Sequence, residues 1–507
     1  MAISLPRICI ALGCPAVDSL IEHARREVEA GETFLEFRLD YLPNPADGAI
    51  AVRTLLAESP GCTILATCRR HQNRGRFNGS VEQQIAALEV AVEAGARAVD
   101  VEIESALASP LAVDRLRARA TLVLSYHNFE GTPAVEAVYR RLVRIPADAY
   151  KLVTTARKPS DIQRLLALPR AHARVPMVVL AMGETGFPSR VLSPMFGGLY
   201  TYAAPGATEG TAAGQVCARH LRHLYRIEKL ARTAKIYGVI ADPVGHSISP
   251  AVHNRAFQAR RTDAVYVPFL VQQGQLRDYM TLAAKLPVSG FSVTIPHKQR
   301  IIRYLDAIDP LARRIGAVNT VWRKAGKWRG TNTDAEAVRI PLERRIRVSK
   351  SSILIAGNGG AARGAAFALA EAGAKLSITG RNPDRVRALA KACDAEPLTH
   401  EQAQASSFDA MVHATPLGMH PNVNECFFQD RIPAEVVFDM VYNPVETELL
   451  RRAREQGKTA VPGTEMFLEQ AVRQFEIWTG ETAPRGVMER AIVEALAGRS
   501  MRNGAGG

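Results

Sequence analysis

Two strand-like segments in the first half of the chain carry side chains that can do chemistry on a ketone. "YKLVTTARK" places Lys151 beside Leu152 and Val153, and "LSYHNF" carries His127. A lysine amine attacks ketone carbons once it is uncharged, and partial desolvation among other positive charges favours that form. A histidine on the neighbouring strand can move protons. The pair predicts elimination or aldol cleavage beside a carbonyl, and the alternative is a solvated lysine at a strand edge.

More polar residues share strand faces in the same half, because alternate residues of a strand point to the same side of a sheet. The groups are Glu36 with Arg38 and Asp40, Thr67 with Arg69, Asp100 with Glu102 and Glu104, and Ser125 with His127. Barrel interiors are normally filled with aliphatic side chains, whereas charged groups near the carboxyl ends of strands indicate an active-site mouth. A ring of structural ion pairs is the alternative for any single residue.

These residues belong to a repeating pattern of short apolar runs separated by helical stretches. Between residue 8 and about residue 202 the runs are "ICIALG", "FLEFRLDYL", "TILATCR", "AVDVEIE", "LVLSYHNF", "YKLVTT", "MVVLAMG" and "LYTYAA". Such alternation predicts a (β/α)8 barrel. A helical stretch, "GQVCARHLRHLYRIEKLARTAK", then leads to "IYGVIADP", where a second alternating α/β pattern begins. We place the boundary near residues 228–235.

The first half resembles the type I 3-dehydroquinate dehydratase family. The motifs "FLEFRLDYL", "ATCR", "SYHNFEGTP", "YKLVTTA", "GFPSRVLSPMFGG" and "GTAAGQ" occur in the order that is typical of that family. The resemblance implies that Lys151 forms a Schiff base with the substrate ketone and that His127 takes the α-proton and helps the hydroxyl leave. It also implies a set of residues that hold the substrate carboxylate and hydroxyls, namely Glu36, Arg38, Arg69, Arg190, Thr211 and Gln215.

The segment "CRRHQNRGRFNG" departs from the family pattern. Where the family has a glutamate and a Gly-Gly pair, this chain has Asn73, Arg74 and Gly75. An amide can orient His127 but cannot stabilise its charged form as a carboxylate does. We therefore expect slower turnover or a shifted pH optimum in the first half.

A dinucleotide site is predicted in the second half. "ILIAGNGGAARG" runs a buried strand into Gly357, Gly359 and Ala362 and then into a helix, which is the strand–turn–helix context of a pyrophosphate-binding turn. The predicted contacts from this turn are Gly357, Gly359, Gly360 and Ala361. The next strand, "KLSITGRN", ends at Arg381, with Arg385 one turn later, rather than at an acidic residue. Arginines suit a 2′-phosphate, so NADP(H) is expected.

Hydroxyl, amide and charged side chains precede this nucleotide fold in "ADPVGHSISPAVHN", "FSVTIPHKQ", "IGAVNTV" and "GTNTDAEAV". With "HATPLGM", "FDMVYNP" and "VPGTEMFLEQAVRQFEIWTG" they resemble shikimate dehydrogenase from residue 235 almost to residue 490. The resemblance implies that Lys298 and Asp334 are the catalytic pair. It implies that the substrate is bound by Ser247, Ser249, Thr294, Asn319, Tyr442 and Gln470. It also implies that Met440, Gly463 and Thr415 border the cofactor.

Composition limits the partners and the cell compartment. The formal net charge of +14 is spread along the chain without Lys/Arg tracts, so small anionic substrates are expected rather than nucleic acid. No apolar run approaches the length of a membrane span. Seven cysteines form no CxxC pair and no metal-ligand spacing, which favours the cytoplasm and predicts no metal site.

Together the halves predict an α/β protein, an N-terminal (β/α)8 barrel followed by a two-lobed dehydrogenase with a Rossmann-type NADP domain. The expected domains are 1–228, 235–337, 338–465 and, for C-terminal helices, 466–495. The function expected from the resemblance is dehydration of 3-dehydroquinate to 3-dehydroshikimate, then NADPH-dependent reduction to shikimate. The alternatives are an active dehydrogenase with a silent barrel, a class I aldolase barrel fused to another polyol dehydrogenase, and a regulator that senses the metabolites.

Overall fold

The computed structural model describes residues 5–206, 215–245, 247–420 and 422–504. The chain forms two compact units. The first consists of residues 1–235 and 267–287, and the second consists of residues 236–266 and 288–507. The segment 267–287 is thus grouped with the barrel, although the sequence places it in the dehydrogenase half. The domain bounds expected from the sequence remain a prediction.

The first unit is built on an eight-stranded parallel sheet with the order β7-β6-β5-β4-β3-β2-β1-β8. Its strands are β1 (Ile8–Leu12), β2 (Phe34–Arg38), β3 (Thr63–Thr67), β4 (Ala98–Glu102), β5 (Thr121–His127), β6 (Ala149–Thr155), β7 (Met177–Met182) and β8 (Thr201–Ala203). At the seam between β7 and β8, the N–H of Leu199 donates to the carbonyl of Met177 at 2.7 Å. The predicted barrel is confirmed.

Helices alternate with these strands. They are α1 (Val17–Glu29), α2 (Gly48–Glu58), α3 (Val81–Glu93), α4 (Ile103–Ala108), α5 (Pro110–Arg119), α6 (Val135–Leu142), α7 (Pro159–Ala171) and α8 (Phe187–Leu192). Their starts follow local chemistry. For example, Ser80 and Gln83 form a capping box at the start of α3, which satisfies backbone N–H groups that have no partner inside the helix.

The helix predicted before residue 235 is much shorter in the structure than the sequence suggested. Within residues 215–234 the structure forms only a short helix with a five-residue π-helical segment, His220–Leu224. Arg226 then has a φ of +53°, a left-handed conformation that a right-handed helix cannot contain. The apolar side chains that suggested a long helix, among them Leu221, Tyr225 and Ile227, are buried although no continuous helix carries them.

The first lobe of the dehydrogenase half contains a six-stranded mixed sheet, ordered β10-β9-β11-β13-β14-β12. Its strands are β9 (Lys235–Ala241), β10 (Ala264–Leu270), β11 (Val288–Val293), β12 (Ala307–Ile308), β13 (Thr320–Lys324) and β14 (Lys327–Thr331). The helices of this region are α9 (Ser249–Ala259), α10 (Leu276–Lys285), α11 (Pro310–Ile315) and α12 (Thr333–Glu343). Strand β13 is antiparallel to both of its neighbours, and Asn319 lies directly before it.

The second lobe is a parallel six-stranded sheet of the Rossmann type, ordered β17-β16-β15-β18-β19-β20. Its strands are β15 (Ser352–Ala356), β16 (Lys375–Thr379), β17 (Glu396–Pro397), β18 (Phe408–His413), β19 (Ala434–Asp439) and β20 (Thr459–Val461). Its helices are α13 (Gly360–Glu371), α14 (Pro383–Cys393), α15 (His400–Ala405) and α16 (Glu448–Glu455), followed by α17 (Gly463–Thr479) and α18 (Arg485–Gly504).

The central strand β15 explains the apolar run in the sequence, because Ile353 and Ile355 pack into one core cluster and Leu354 into another. Both faces of this sheet are therefore covered, as expected for parallel strands. Among the described residues, no helix has both the length and the hydrophobicity that crossing a lipid bilayer would require.

Candidate functional site

A cavity of about 120 Å³ lies in the barrel. It brings together most of the polar residues that the sequence predicted for the first half. They are Glu36, Arg38, Arg69, Asn73, His127, Lys151, Arg190 and Gln215. Thr211 lies outside the described residues. The cavity is also lined by Tyr41, Arg74, Phe129, Val153, Leu180, Met182 and Tyr202.

Strand register sets Lys151 and His127 on one face. Lys151 on β6 pairs with Ser125 on β5, and His127 pairs with Val153, two residues further along. Because alternate residues share a face, the lysine and the histidine both point into the barrel, with the histidine nearer the carboxyl ends of the strands. This is the end of the barrel where catalytic groups of this architecture lie.

Lys151 is buried beside carboxylates. Its Nζ donates to Oδ2 of Asp100 at 2.8 Å and to the hydroxyl of Tyr202 at 2.8 Å, and lies 3.8 Å from Oε1 of Glu36. Lys151 is therefore surrounded by carboxylates as well as by the cations that the sequence predicted. Burial by itself would raise the pKa of the Asp100 carboxyl, but the charges of Arg69 and Lys151 outweigh it and hold that pKa well below its usual value.

Arginines complete the cavity wall. Arg69 donates to Oδ1 of Asp100 at 2.9 Å and to the hydroxyl of Ser125 at 2.9 Å, so its guanidinium is held rigidly. Arg38 is bound by both oxygens of Asp40, at 2.9 and 2.8 Å. Burial lowers the pKa of Arg190 to about 10, and its side chain is still a cation at neutral pH.

Burial favours the neutral form of His127. Burial lowers the pKa of the imidazole well below its usual value, and the nearby charges of Arg69 and Lys151 lower it further. Within the described residues its buried Nδ1 has no hydrogen-bond partner. The amide of Asn73 donates instead to Oε2 of Glu104 at 3.4 Å, so the expected orientation of His127 by that amide is not observed.

Tyr202 is a contact of Lys151 that the sequence interpretation did not identify. Its hydroxyl also donates to Oε1 of Glu36 at 3.3 Å, and Thr67 donates to the same oxygen at 2.8 Å. Parity within "LYTYAA" puts Tyr202 of β8 on the same face as Tyr200, which directly precedes the strand. A tyrosine in an apolar strand is nevertheless more often a core residue than a site residue.

In the second unit, the predicted pair Lys298 and Asp334 is in contact. The Nζ of Lys298 donates to Oδ2 of Asp334 at 2.8 Å, and both side chains remain partly exposed. Asp334 lies in the first turn of α12, where Asn332 caps the helix by accepting from the backbone N–H of Asp334 at 3.1 Å. The cap fixes the carboxylate, which in turn orients the ammonium.

The predicted substrate-binding residues lie on several elements, and one of them, Asn319, is hydrogen-bonded to the neighbour of Asp334. Asn319 is buried, donates to the hydroxyl of Thr333 at 3.0 Å and, through Oδ1, accepts from its backbone N–H at 2.8 Å. Val318 donates to the carbonyl of Lys298 at 2.8 Å, which places the two loops side by side. Ser247 accepts from the N–H of Ser249 at 3.3 Å.

Three other predicted residues lie after β11, after β19 and on α17. Thr294 follows β11, and its N–H donates to the carbonyl of Ile240 at 3.1 Å. The ring of Tyr442 packs against Phe467 with centroids 5.1 Å apart, and Gln470 donates to the carbonyl of Phe467 at 3.0 Å. Tyr442 and Gln470 are therefore neighbours through Phe467.

The predicted nucleotide turn is shaped to receive a phosphate. Gly357 has a φ of +134°, and a Cβ there would lie 2.7 Å from the carbonyl oxygen of Ala414. A Cβ on Gly359 or Gly360 would meet open space, at the N-terminus of the twelve-residue helix α13. Ala361 is in the first turn of that helix. Backbone N–H groups and the helix dipole favour an anion in such a place.

Arg381 and Arg385 lie exposed beyond β16, and neither makes an ion pair within the described part of the chain. Asn358 of the nucleotide turn donates to the carbonyl of Asn382 at 3.2 Å, which brings the turn and these arginines together. The donor set therefore fits a dinucleotide with an additional phosphate on its ribose.

Thr415 belongs to a buried network that the sequence did not reveal. Its hydroxyl contacts Nε2 of His413, whose Nδ1 lies 2.9 Å from Oδ1 of Asp439. Met440 follows directly, and its N–H donates to the carbonyl of His413 at 3.0 Å. A Cβ on Gly463 would lie 2.4 Å from the carbonyl oxygen of Val441, so this glycine lets α17 start against the same loop.

Comparison with known proteins agrees with this geometry. Residues 8–232 match the family model for type I 3-dehydroquinase, residues 239–321 match the shikimate dehydrogenase substrate binding domain, and residues 463–493 match the shikimate 5′-dehydrogenase C-terminal domain. The chain is 34% identical over 505 residues to the chloroplastic bifunctional 3-dehydroquinate dehydratase/shikimate dehydrogenase of Arabidopsis thaliana, covering 94% of this chain and 83% of that protein.

Two further relatives match the second half. A shikimate dehydrogenase (NADP(+)) from Bacillus cereus (strain G9842) is 39% identical over 275 residues, which covers 52% of this chain and 99% of that protein. A crystal structure of a shikimate dehydrogenase in complex with NADP+ superposes with a TM-score of 0.51 at 37% identity, covering 53% of this chain and 97% of that one.

Proposed function

The chain belongs to the family of bifunctional 3-dehydroquinate dehydratase/shikimate dehydrogenases, and on that premise we propose which of its residues carry each activity. The enzyme dehydrates 3-dehydroquinate to 3-dehydroshikimate and reduces that product to shikimate with NADPH. Lys151 and His127 are the catalytic residues of the first reaction. Lys298 and Asp334 are those of the second.

In the barrel, Lys151 releases a proton, its amine attacks the C3 ketone, and the proton is returned as the carbinolamine loses water to leave a protonated Schiff base. His127, which burial keeps neutral, removes the α-proton from C2 and returns a proton to the C1 hydroxyl as it leaves as water. Hydrolysis of the conjugated imine then releases the product and regenerates the amine. Arg190, Arg69 and Gln215 hold the carboxylate and hydroxyls.

In the second unit, Lys298 protonates the ketone oxygen while Asp334 stabilises its ammonium at 2.8 Å. NADPH, when bound, supplies the hydride. The substrate hydroxyls and carboxylate are bound by Ser247, Ser249, Thr294, Asn319, Tyr442 and Gln470. The residues that hold the cofactor are those of the turn at Gly357–Ala361, the arginines at 381 and 385, Thr415, Met440 and Gly463.

The burial of Lys151 in a cavity with a neutral histidine and cationic arginines carries this proposal for the barrel. The test is borohydride reduction with 3-dehydroquinate present, followed by peptide mapping, together with an assay in which enone absorbance is followed before NADPH is added. We expect an adduct on Lys151, enone formation, and then NADPH oxidation. An adduct elsewhere, or enone formation by a Lys151→Ala variant, would refute the assignment.

The domain bounds 1–228, 235–337, 338–465 and 466–495 are part of the proposal, and limited proteolysis with mass spectrometry tests them. We also propose that the protein works in the cytoplasm. The support is that Cys9, Cys62 and Cys68 are buried free thiols, as is usual in a reducing compartment. Cell fractionation with an antibody to the chain would show whether it is found there.

A further inference from the structure

Arg74 occupies a position where the family pattern has glycine. The structure explains why only one glycine of that pair is required. A Cβ on Gly75 would lie 1.9 Å from the carbonyl oxygen of Arg69, so no side chain fits there. At position 74 the backbone is left-handed, with a φ of +53°, a conformation that glycine adopts without strain and arginine does not. An arginine at such a position carries a conformational cost that glycine would avoid.

The side chain of Arg74 lies at the cavity rather than away from it. It is one of the lining residues, and its guanidinium carbon lies 4.7 Å from the centroid of the Phe129 ring. Phe129 is in turn stacked against His127, with centroids 6.0 Å apart and planes inclined by 12°. This cation–π contact holds the guanidinium beside the catalytic histidine.

Arg74 differs from Arg38 and Arg69 in its charge pairing. Across the described ranges of the chain, no carboxylate lies within ion-pair distance of it. Arg38 and Arg69, by contrast, are bound by Asp40 and by Asp100. Within the described residues, Arg74 is therefore a cation without an acidic partner, and it lines a cavity of about 120 Å³.

We propose that Arg74 is a substrate-binding residue of the dehydratase site, where its guanidinium donates to the carboxylate of the bound substrate from the side of Phe129. Arg190 lines the same cavity, so a substrate bound there lies among both guanidiniums. The exchange of a family glutamate and glycine for Asn73 and Arg74 thus removes a carboxylate that served the histidine and adds a cation that serves the substrate.

The test is the Arg74→Gly variant in the full-length enzyme, assayed by enone absorbance without NADPH, so that the second site is silent. We expect KM for 3-dehydroquinate to rise about tenfold, as for the loss of one charged hydrogen bond, with kcat changed less than twofold. Because glycine relieves the left-handed strain, the thermal midpoint of the variant should be unchanged or higher. A merely structural arginine would not give weaker binding together with equal or better stability.

Two further variants serve as controls. Arg74→Lys keeps the charge without the planar contact to Phe129, and its KM should lie between those of the other two proteins. Arg97→Ala removes an exposed arginine at the opposite end of the barrel and should leave KM unchanged. A KM for Arg74→Gly within twofold of the parent would overturn the proposal. The inference rests on the proposed dehydratase site, and Lys151→Ala distinguishes the two: if that variant still forms the enone, the site itself is misplaced.

Discussion

Replacing Asn73 with glutamate should change how His127 titrates. In the parent enzyme, burial and the charges of Arg69 and Lys151 depress the pKa of the imidazole, and no carboxylate of this loop opposes them. A carboxylate within about 4–6 Å of a histidine raises its pKa by about 1–3 units. Because Asn73 is partly exposed, we expect the lower end of that range, about one unit.

The direction in which the pH profile of kcat shifts follows from the proposed role of His127. Proton abstraction needs the neutral imidazole, so the acid limb of the kcat profile lies at the pKa of His127 in the complex. Asn73→Glu should move that limb to higher pH by about one unit. The carboxylate also stabilises the imidazolium formed in the transition state, and one unit corresponds to about 1.4 kcal/mol. We therefore expect kcat at pH 8 to rise by up to about tenfold.

The assay is the pH dependence of enone formation without NADPH, with Asn73→Gln as the matched control. Glutamine has the size of glutamate without its charge, so the difference between the two variants isolates the carboxylate. Combining each change with Glu104→Gln removes the neighbouring carboxylate that now accepts from Asn73. Identical acid limbs in the glutamate and glutamine variants, with and without that second change, would refute the electrostatic reasoning.

Three other predictions concern stability and cofactor choice. Asp100→Asn leaves Lys151 and Arg69 without their shared carboxylate, and it should lower the free energy of unfolding of the barrel by about 3–5 kcal/mol. Urea unfolding followed by far-UV circular dichroism measures this, while the fluorescence of the tryptophans, all of which lie in the second unit, should not shift; an unmoved dichroism midpoint would contradict it. Arg381→Ala should raise KM for NADPH about 10–100-fold and leave KM for NADH unchanged, and equal rises for both would argue against a 2′-phosphate contact. Burial lowers the pKa of His253 to about 3. As pH falls below about 6.5, the unfolded chain therefore binds a proton at this histidine and the native state does not. The free energy of unfolding should drop by about 2.5 kcal/mol from pH 7 to 4.5. His253→Gln should lose that part of the pH dependence of tryptophan fluorescence unfolding, and an unchanged slope would show that the histidine is not the cause.

The sequence was informative where local pattern determines structure. Parallel strands are buried on both faces, so each of the eight barrel strands appears as an apolar run, and parity within a run places Lys151 and His127 in the interior. The glycine-rich turn was predictable for a similar reason. Gly357 stands at a position where the backbone conformation and the approach of Ala414 exclude any side chain.

The sequence was uninformative where contacts join distant segments. Lys151 is paired with Asp100, 51 residues away, and nothing local shows that the lysine would be surrounded by carboxylates. Tyr202 is closer to Lys151 than most of the predicted residues, yet it appears in the sequence as an ordinary core aromatic. The bond between Asn73 and Glu104 likewise depends on the loop after β3 meeting the end of β4. These contacts are tertiary, and the pairing of Lys151 with Asp100 and Tyr202 changes the electrostatics of a predicted site residue.

The contact between Lys151 and Asp100 has a consequence for the field inside the barrel. A lysine ammonium carries one positive charge, and so does a protonated imine at the same nitrogen. In the mechanism that we propose, the buried carboxylate thus faces the same charge before and after the covalent bond forms, and its contacts with Arg69 and Ser125 need no rearrangement. In a low-dielectric interior, a step that conserves charge avoids stabilising a newly created ion. Asp100 is therefore the counter-ion both of the lysine ammonium and of the protonated imine that replaces it.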